Sequence, residues 1–313
     1  MDPAIVMHGG AINPTGGEYG DGIVTAVVEG FELLEDGNSA LDAVEHAVSV
    51  AEDNPIFNAG TGSHLNLAGD VEMDASIMDG RDRSAGAVAS VSEVRNPIQV
   101  ARLVMDETDH RFLVGRGADA FAHAMGMEPY DPVTEERVQK WRTEIDALRE
   151  GEMPGHFEKL HRFLDLDDLD VENVSTTGAV AIDGNGDLAA ATSSGGFPLK
   201  MPGRVGDSPL IGAGTYADND GGAMSVTGNG ELLMREMVSR EGVDLMRRDV
   251  SAQGAIESIV RRLNRTVDDY IFCGVGIDAD GNVGCSRCMD ATPHAYMTTD
   301  LEEPEQSFGS VLL

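Results

Sequence analysis

The chain has 313 residues, with 55 acidic and 22 basic side chains and a formal net charge of −33. A surface of this sign repels nucleic acid and anionic membranes, because phosphate binding needs positive charge. The acidic residues are spread along the chain, a pattern typical of proteins from salt-loving organisms, in which concentrated salt screens the self-repulsion. We therefore expect a halophilic protein that loses stability at low salt.

The first eight residues contain no basic segment followed by a long apolar segment, as a signal peptide would. No run reaches the roughly 18 apolar residues of a membrane helix, so we expect a cytoplasmic protein. Cys285 and Cys288 have the spacing of a zinc or redox motif, but only His294 stands close in sequence as a further ligand. Two half-buried strand residues explain the pair more simply, and we expect no cofactor of this kind.

In the first half of the chain, the apolar spacing predicts strands and helices in alternation. Strands are expected over 5–8, 64–76 and 85–91, and helices over 22–34, 40–51, from Pro97 onward and over 117–125. Gly37 suits a helix stop and Ser39 a helix start, while Asn96 precedes Pro97 at a third start. From about 129 to 175 the chain becomes highly charged, which predicts a helix and a flexible linker.

In the second half, two apolar strands flank a Gly-rich turn at 184–187, and a strand over 223–226 leads into a helix over 231–240. A second helix is expected over 252–263, followed by a hairpin of 271–277 against 283–288 and a last strand over 307–312. Strands and helices in both halves predict an α+β protein in which packed sheets have helices outside.

Three hydroxyl residues, Ser175, Thr176 and Thr177, stand between the charged segment and an apolar run that starts at Gly178. A hydroxyl residue at the start of a buried strand, fed by a polar linker, is what a self-cleaving N-terminal nucleophile needs. If the chain is cut before Thr176, that residue gains a free α-amine, which can act as the base for its own hydroxyl. Taken alone, the three residues more simply mark a loop-to-strand boundary.

Nine stretches together resemble the plant-type L-asparaginase / isoaspartyl peptidase family of N-terminal-nucleophile hydrolases. They include HGGA at 8–11, FNAGTGS at 57–63, TTGAVA at 176–181, PGRVGDSPL at 202–210 and TGNGE at 227–231, with further matches at 72–80, 86–89, 95–97 and 189–196. One Gly-rich match would be weak, but nine in the family's order span nearly the whole chain. Coverage is weakest over 129–175.

This resemblance implies a single domain over 1–313 with the fold of a four-layer αββα sandwich. It implies that the precursor cuts itself between Ser175 and Thr176 into an α subunit, 1–175, and a β subunit, 176–313, and that two such pairs form a homodimer. The substrates implied are small molecules: L-asparagine, cleaved to aspartate and ammonia, and β-aspartyl (isoaspartyl) dipeptides.

The resemblance also assigns the catalytic roles. Thr176 is the nucleophile and Ser194 is the second hydroxyl that bonds to it, at a position where the family usually has Thr. Thr227 and the backbone N–H of Gly228 would stabilise the oxyanion, and Asn58 would orient Thr176 and its amine.

Recognition of the aspartyl unit is assigned to a loop that carries both charges. Arg204 would pair with the substrate α-carboxylate and Asp207 with its α-ammonium, with Gly230 lining the same pocket. A mutual surface salt bridge between Arg204 and Asp207 is the simpler alternative. His8 is interpreted as structural, because this mechanism needs no imidazole.

The family uses an alkali cation, usually sodium, held by backbone carbonyls, which leave little trace in a sequence. The corresponding carbonyls here belong to Ala51, Glu52, Asn54, Phe57, Ala59 and Thr61.

The sequence leaves two alternatives open. One is a glycosylasparaginase-type amidase, whose motif usually ends in Asn-Gly where this chain has Gly195-Gly196. The other is a non-catalytic acidic scaffold of the same fold.

Overall fold

The computed structural model describes residues 1–10, 17–150, 176–267, 270–286 and 293–307. Within these ranges the chain forms twelve strands and eight helices. The elements before the Ser175/Thr176 junction are β1 (Ala4–His8), α1 (Gly17–Glu35), α2 (Ala40–Asp53), β2 (Met73–Asp79), β3 (Ala85–Val91), α3 (Pro97–Glu107), β4 (Phe112–Val114), α4 (Gly115–Ala124) and α5 (Glu135–Glu150).

The elements after the junction begin with a hairpin of two buried strands. They are β5 (Thr177–Ile182), β6 (Leu188–Ser194), β7 (Thr215–Asp218), β8 (Gly222–Gly228), α6 (Gly230–Glu236), α7 (Val238–Met246), α8 (Ala252–Thr266), β9 (Phe272–Asp278), β10 (Val283–Cys285), β11 (His294–Thr298) and β12 (Glu305–Ser307).

The strands form two sheets. The larger has eight strands in the order β12-β11-β1-β5-β6-β2-β3-β4, and the smaller has four in the order β10-β9-β8-β7. The central strand β5 pairs antiparallel with both β1 and β6, with Gly178 opposite His8 on one side and Thr192 on the other. The start of β5 therefore lies in the middle of the large sheet, where neighbouring strands fix its position on both sides.

Two hydrophobic cores separate the layers. Val6, Val180 and Ala190 of the large sheet pack with Ala223 and Val275 of the small sheet in the core between the sheets. The other face of the large sheet packs against α1 to α4, and α7 and α8 cover the outer face of the small sheet. This helix–sheet–sheet–helix arrangement confirms the predicted αββα sandwich.

One predicted strand is wrong over much of its length. The sequence predicted a strand over 64–76, but the strand begins at Met73. Asn66 Oδ1 accepts hydrogen bonds from the backbone N–H groups of Ala68 at 2.9 Å and Asp70 at 3.1 Å, and Gly69 has a φ of +87°. The Asn side chain thus stabilises a tight turn in place of a strand ladder.

The predicted helix over 231–240 is interrupted. Met237 has a φ of +51°, in the left-handed region, and ends α6 there before α7 begins at Val238. The prediction also missed β4, β7 and β11, because strands of three to five residues are too short to establish a period. The predicted last strand is present only as β12; residues 308–312 lie outside the described part of the chain.

The charged segment after residue 129 contains α5, which packs beside the loops that carry Asn66 and Leu199. Trp141 Nε1 donates a hydrogen bond to Asn66 O at 2.9 Å. Trp141 also belongs to a small apolar cluster with Leu148, Leu199 and Leu67. Residues 151–175, which include Ser175 and most of the predicted linker, lie outside the described residues.

Candidate active site

Thr176 stands directly before β5, and its side chain is 4 % exposed. Side chains alternate across a strand, so Thr176, Gly178 and Val180 share a face. Val180 belongs to the core between the sheets, whereas Ala179 and Ala181 belong to the core on the helical side. Thr176 therefore lies on the face of the large sheet that meets the small sheet.

The Thr176 hydroxyl is oriented by a second hydroxyl at the end of β6. Thr176 Oγ1 donates to Ser194 Oγ at 3.0 Å, and Ser194 Oγ also accepts from the backbone N–H of Gly196 at 3.0 Å. The two residues that the sequence paired are thus in direct contact. Because Ser194 accepts both bonds, the Thr176 oxygen keeps its lone pairs for other partners.

Thr177, the other candidate hydroxyl, faces the opposite side of the sheet. Its Oγ1 donates to the backbone carbonyl of His8 at 3.3 Å. The neighbouring strand shows the same alternation, because Ser193 Oγ donates to Glu52 Oε1 at 2.6 Å on the helical side. Of the two adjacent threonines, only Thr176 therefore faces the small sheet.

His8 contacts the candidate nucleophile. Its Nδ1 lies 3.1 Å from the carbonyl oxygen of Thr176, and its Nε2 lies 3.0 Å from Ser225 Oγ. Burial lowers the pKa of His8 to about 3, although the hydrogen bond to Thr176 opposes this effect. A ring held neutral in this way cannot serve as a proton carrier near neutral pH, which agrees with its interpretation as structural.

Asn58 holds the turn that follows Ser194. Its Nδ2 donates to Gly196 O at 2.7 Å, and its backbone carbonyl accepts from Gly195 N at 2.8 Å. A methyl group on Gly195 would lie 2.4 Å from Asn58 Oδ1, so only glycine fits here. Asn58 is thus placed to act on Thr176 through the turn that carries Ser194.

The two charged residues assigned to substrate recognition meet at Gly230. A methyl group on Gly230 would lie 2.6 Å from Arg204 Nη2 and 3.1 Å from Asp207 Oδ1. Arg204 pairs through two nitrogens with Glu231, at 3.0 and 2.9 Å, and its guanidinium lies 3.8 Å from the centre of the Phe197 ring. No ion pair joins Arg204 to Asp207 in the described part of the chain, so the simpler alternative of a mutual salt bridge is not supported.

Asp207 is buried, at 4 % exposure, and its Oδ2 has no hydrogen-bond partner among the described residues. Burial raises the pKa of Asp207 to about 7, although the positive charge of Arg204 opposes this effect. An unpaired buried carboxylate is costly unless a cation reaches it. The geometry therefore suits an incoming ammonium group.

Thr227 carries a second buried polar group with nothing to bind. It is fully buried, and its hydroxyl has no partner within the described ranges. It lies two residues beyond Ser225 on β8, hence on the face of that strand that meets the large sheet. Gly228 has a φ of +147°, and a methyl group there would lie 2.1 Å from Ile271 O. The hydroxyl of Thr227 is thus available as a donor to a developing oxyanion.

Lys200 is a residue that the sequence analysis did not assign. It is 1 % exposed, and its Nζ donates to the backbone carbonyl of Glu72 at 2.6 Å. Burial lowers the pKa of Lys200, and the nearby negative charge of Asp74 opposes this effect. A methyl group on Gly196 would lie 3.0 Å from its Nζ. The chain has only three lysines, so one in a Gly- and Pro-rich loop was a signal that could have been used.

The predicted cation loop closes on itself. Thr61 N donates to Glu52 O at 2.8 Å, and both Phe57 and Ala59 are fully buried. The carbonyl groups of Ala51, Asn54 and Phe57 each accept one hydrogen bond. A carbonyl oxygen has two lone pairs, so these groups can still bind a cation. Free lone pairs of this kind are what a sodium ion would need, and the cation site in this loop stays a prediction.

Other classes of site have little support in the part of the chain that the structure describes. It contains no group of three or more His, Cys, Asp or Glu side chains placed to hold a metal ion. None of its helices is long and apolar enough to cross a membrane. Burial raises the pKa of the Cys285 thiol to about 12, which opposes the thiolate that zinc or redox chemistry requires. Cys288 lies outside the described residues.

Comparison with known proteins identifies relatives over nearly the full length of the chain. The sequence model of a family described as Asparaginase matches residues 1–304. A plant-type L-asparaginase of Pyrococcus horikoshii is 45% identical over 306 residues, which cover 96% of this chain and 98% of the relative. A human isoaspartyl peptidase/L-asparaginase is 47% identical over 246 residues, which cover 77% of this chain and 75% of the relative.

Proposed function

On the premise that the chain belongs to the asparaginase family, we propose that it hydrolyses the side-chain amide of L-asparagine and the isoaspartyl bond of β-aspartyl peptides. The observation that carries the proposal is the position of the Thr176 hydroxyl. It is buried between the sheets at the start of β5 and hydrogen-bonded to Ser194. This is the arrangement expected of a nucleophile whose own α-amine is its base.

The enzyme is made by self-cleavage in this proposal. Thr176 Oγ1 attacks the carbonyl carbon of Ser175, the hydroxyl proton passes to the peptide nitrogen of Thr176, and the C–N bond breaks to leave an ester between Ser175 and Thr176 Oγ1. Water then hydrolyses the resulting ester and releases two chains, 1–175 and 176–313. The α-amine that Thr176 gains has an ordinary pKa near 8, so a large share of it is neutral and basic in mildly alkaline solution.

Acylation follows the same path with the substrate in place of Ser175. The α-amine of Thr176 takes the proton from Oγ1, which attacks the substrate β-carbonyl. The resulting oxyanion accepts hydrogen bonds from Thr227 Oγ1 and Gly228 N, and such donors together are worth about 3 kcal/mol or more. The α-amine then returns its proton to the departing ammonia or peptide amine, which leaves an ester at Thr176.

Deacylation repeats these steps with water. The α-amine takes a proton from water, the hydroxide attacks the ester carbonyl, and the same two donors hold the second oxyanion. Its collapse returns the proton to Thr176 Oγ1 and releases aspartate. One set of donors therefore serves both halves of the reaction.

The loop from Arg204 to Asp207 supplies specificity for the aspartyl unit. Arg204 would bind the α-carboxylate and Asp207 the α-ammonium, with the backbone of Gly230 between them. The bidentate pair with Glu231 orients the guanidinium, so less freedom is lost on binding. A neutral amide without both end charges would leave the Asp207 carboxylate buried without a cation and would give Arg204 no second anion to bind, so it should be a poor substrate.

Three further features belong to the same proposal. Backbone carbonyls of the loop from Ala51 to Thr61 would hold a sodium ion, which would stabilise the loop that precedes Asn58 and take no part in the chemistry. Two αβ pairs associate as a homodimer. The protein works in a salt-rich cytoplasm, to which its net charge of −33 is suited.

The purified protein tests the proposal directly. We expect two bands under denaturing conditions, a free Thr176 terminus on sequencing of the smaller chain, and release of ammonia from L-asparagine. Each of two β-aspartyl dipeptides should release its second amino acid. A single band with no product from either substrate class would reject the proposal in favour of the non-catalytic scaffold.

The alternative of a glycosylasparaginase-type amidase is distinguished from this proposal by the leaving group of the preferred substrate. Asparagine that carries an N-linked sugar should be turned over far more slowly than asparagine itself. Preference for the glycosylated substrate would assign the chain to that alternative.

A further inference from the structure

A continuous line of hydroxyl groups crosses the interface between the two sheets and ends at His8. Oxygen–oxygen distances along it are 2.8 Å from Ser76 to Thr215, 2.6 Å from Thr215 to Thr192 and 2.7 Å from Thr192 to Ser225. Ser225 Oγ then lies 3.0 Å from His8 Nε2. All five side chains are fully buried. We call Ser76, Thr215, Thr192 and Ser225 the hydroxyl chain.

Which atom donates in each hydrogen bond from Thr215 to His8 follows from the contact that His8 makes with Thr176. The Nδ1 atom of His8 faces the Thr176 carbonyl oxygen at 3.1 Å. A carbonyl oxygen can only accept, so Nδ1 must carry the proton. A neutral imidazole has one N–H, so Nε2 accepts, and its donor is Ser225 Oγ.

The donors of the remaining hydrogen bonds follow in turn from Ser225 back to Thr215, because each hydroxyl has one proton to donate. Ser225 has used its one proton on His8, so Thr192 donates to Ser225, and Thr215 in turn donates to Thr192. The competing acceptor of Thr192, Gly214 O, is farther away at 3.2 Å. Ser76 starts the line and can donate either to Thr215 Oγ1 at 2.8 Å or to Ser208 O at 2.6 Å, because no hydroxyl further along the line fixes its choice. Each other hydroxyl has a single assignment.

Packing around Ser225 and His8 leaves no room for a side chain at Gly178. A methyl group on Gly178 would lie 2.0 Å from Ser225 Oγ and 2.8 Å from His8 Nε2. The space beside Gly178 is therefore already filled by the Ser225 hydroxyl, the His8 ring and the carbonyl oxygen of Ala191. This gives a physical reason for a glycine two residues after the nucleophile.

We propose that the hydroxyl chain is a positioning device that holds His8 as its Nδ1–H tautomer, so that His8 donates to the Thr176 carbonyl and fixes the backbone of the nucleophile. The role of Thr176 in this statement rests on the proposed function. In the other tautomer, the Nδ1 lone pair and the carbonyl lone pairs would repel each other at 3.1 Å. The carbonyl of Thr176 lies on the retained side of the scissile bond, so His8 serves both self-cleavage and hydrolysis.

The test reads the tautomer itself. Protein labelled with nitrogen-15 in its eight histidines is studied by NMR in the Thr176→Ala background, which keeps the backbone carbonyl and needs neither cleavage nor substrate. The His8 signals are identified by their loss in His8→Asn. We expect a proton on Nδ1 and none on Nε2, and the same result in the wild type.

Paired variants at Thr192 separate the hydroxyl from the shape. Thr192→Val keeps the shape and removes the hydroxyl, while Thr192→Ser keeps the hydroxyl and removes a methyl group. We expect Thr192→Val and Ser225→Ala to show a fraction of Nε2-protonated His8. With Thr176 restored, their self-cleavage rate and kcat should fall about tenfold with little change in KM. Thr192→Ser should keep the wild-type tautomer and rates.

Ser239→Ala is the matched control, because Ser239 is fully buried and its hydroxyl has no partner among the described residues. It should change neither tautomer nor rates. A wild-type His8 protonated on Nε2 would overturn the proposal, as would unchanged tautomers in both Ser225→Ala and Thr192→Val. Since the tautomer is read without turnover, failure of the proposed hydrolysis would leave this result standing, and the reverse also holds.

Discussion

Thr176 Oγ1 and Ser194 Oγ are 3.0 Å apart, and Ser194 accepts a second hydrogen bond from Gly196 N at the same distance. Ser194 thus links the candidate nucleophile to the turn held by Asn58. A serine in this role lacks the methyl group that would restrict its χ1 rotation. The two bonds, rather than the side chain's own stiffness, keep its hydroxyl in place.

Substitutions at Ser194 should therefore separate the hydroxyl from the methyl group. Ser194→Ala removes the acceptor of Thr176 and leaves Gly196 N unpaired, which costs about 1–3 kcal/mol. We expect self-cleavage and kcat to fall about tenfold or more. Ser194→Thr should match or exceed the wild type, because it restores the stiffer rotamer. Wild-type rates in Ser194→Ala would show that this contact does not orient the nucleophile.

The two adjacent threonines give a second prediction. Thr176→Ala should yield one uncut chain with no hydrolase activity, because a single hydroxyl performs both reactions. Thr177→Val is the matched control: its hydroxyl faces His8 O on the other side of the sheet, so cleavage and kcat should stay within about threefold of the wild type, and stability should fall by about 1 kcal/mol. Gel analysis and ammonia release measure both effects. Cleavage in Thr176→Ala would show that another residue is the nucleophile.

Asp207 predicts a pH dependence of substrate binding. Its pKa is raised to about 7 by burial, so in the free enzyme it is protonated below that pH and ionised above it. Only the carboxylate attracts the substrate ammonium, hence kcat/KM should rise as pH increases through about 7. The Thr176 amine must also lose a proton, near its ordinary value of about 8, so two deprotonations should steepen the wild-type acid limb.

Asp207→Asn separates these two deprotonations, because it keeps the shape of the side chain and removes the charge. We expect KM to rise about tenfold or more while the acid limb of kcat/KM flattens to a single deprotonation. The profile is measured with L-asparagine between about pH 5 and pH 9. A limb as steep as that of the wild type would mean that Asp207 does not titrate in the free enzyme.

Lys200 predicts a coupling between stability and binding. Lys200→Met keeps the length of the side chain but removes the cation near Asp74, which is itself 1 % exposed. Asp74 Oδ2 accepts from Gly206 N at 3.1 Å, in the loop between Arg204 and Asp207. We expect a loss of about 2–4 kcal/mol of unfolding free energy, because a buried carboxylate loses its counter-charge, together with a raised KM.

The control for Lys200 is Lys140→Met. Lys140 is partly exposed and pairs with Glu144 at a distance of 3.9 Å, so its loss should change stability by less than about 1 kcal/mol. Chemical denaturation measures both variants. Equal effects at the two lysines would contradict a special role for the buried one.

Sequence reasoning succeeded where the information is local. The run from Thr176 to Ala181 and the loop from Arg204 to Asp207 are contiguous, so each could be recognised as a unit. The helix start at Ser39 follows from capping by its hydroxyl, and the start at Pro97 follows from the preference of proline for the first helical position. It failed where the determinant is a contact across the fold. The hydroxyl chain is an example, because Thr192, Thr215 and Ser225 come from three different strands. Their spacing in the sequence does not indicate that they share a line of hydrogen bonds.

The failed elements have the same origin. The turn at Asn66 depends on one side chain bonding to the backbone two and four residues on, which the apolar spacing of 64–76 does not reveal. The break at Met237 depends on a left-handed residue that needs no glycine. The sequence assigned no role to Lys200, and only the folded loop shows that its side chain is buried beside Gly196. Burial of a charge is a property of the packed molecule rather than of its local sequence.

The charge of the chain gives a last prediction, on salt. With a net charge of −33, self-repulsion opposes the compact state, and the screening length falls from about 10 Å at 0.1 M salt to about 3 Å at 1 M. We therefore expect the melting temperature to rise strongly between dilute buffer and molar KCl. A sodium ion in the loop from Ala51 to Thr61 would act differently, because a specific site saturates at low concentration.

Exchanging a few millimolar of KCl for NaCl, while the total salt stays at about 1 M, separates charge screening from specific binding of sodium. Screening should be the same for both salts, so any further rise in melting temperature with NaCl reports the loop. Choline chloride serves as the control, because its cation is too large for a carbonyl cage. A melting temperature that is constant from dilute buffer to molar KCl would contradict the halophilic interpretation. Equal values in all three salts at high concentration would remove the sodium site and leave the screening argument intact.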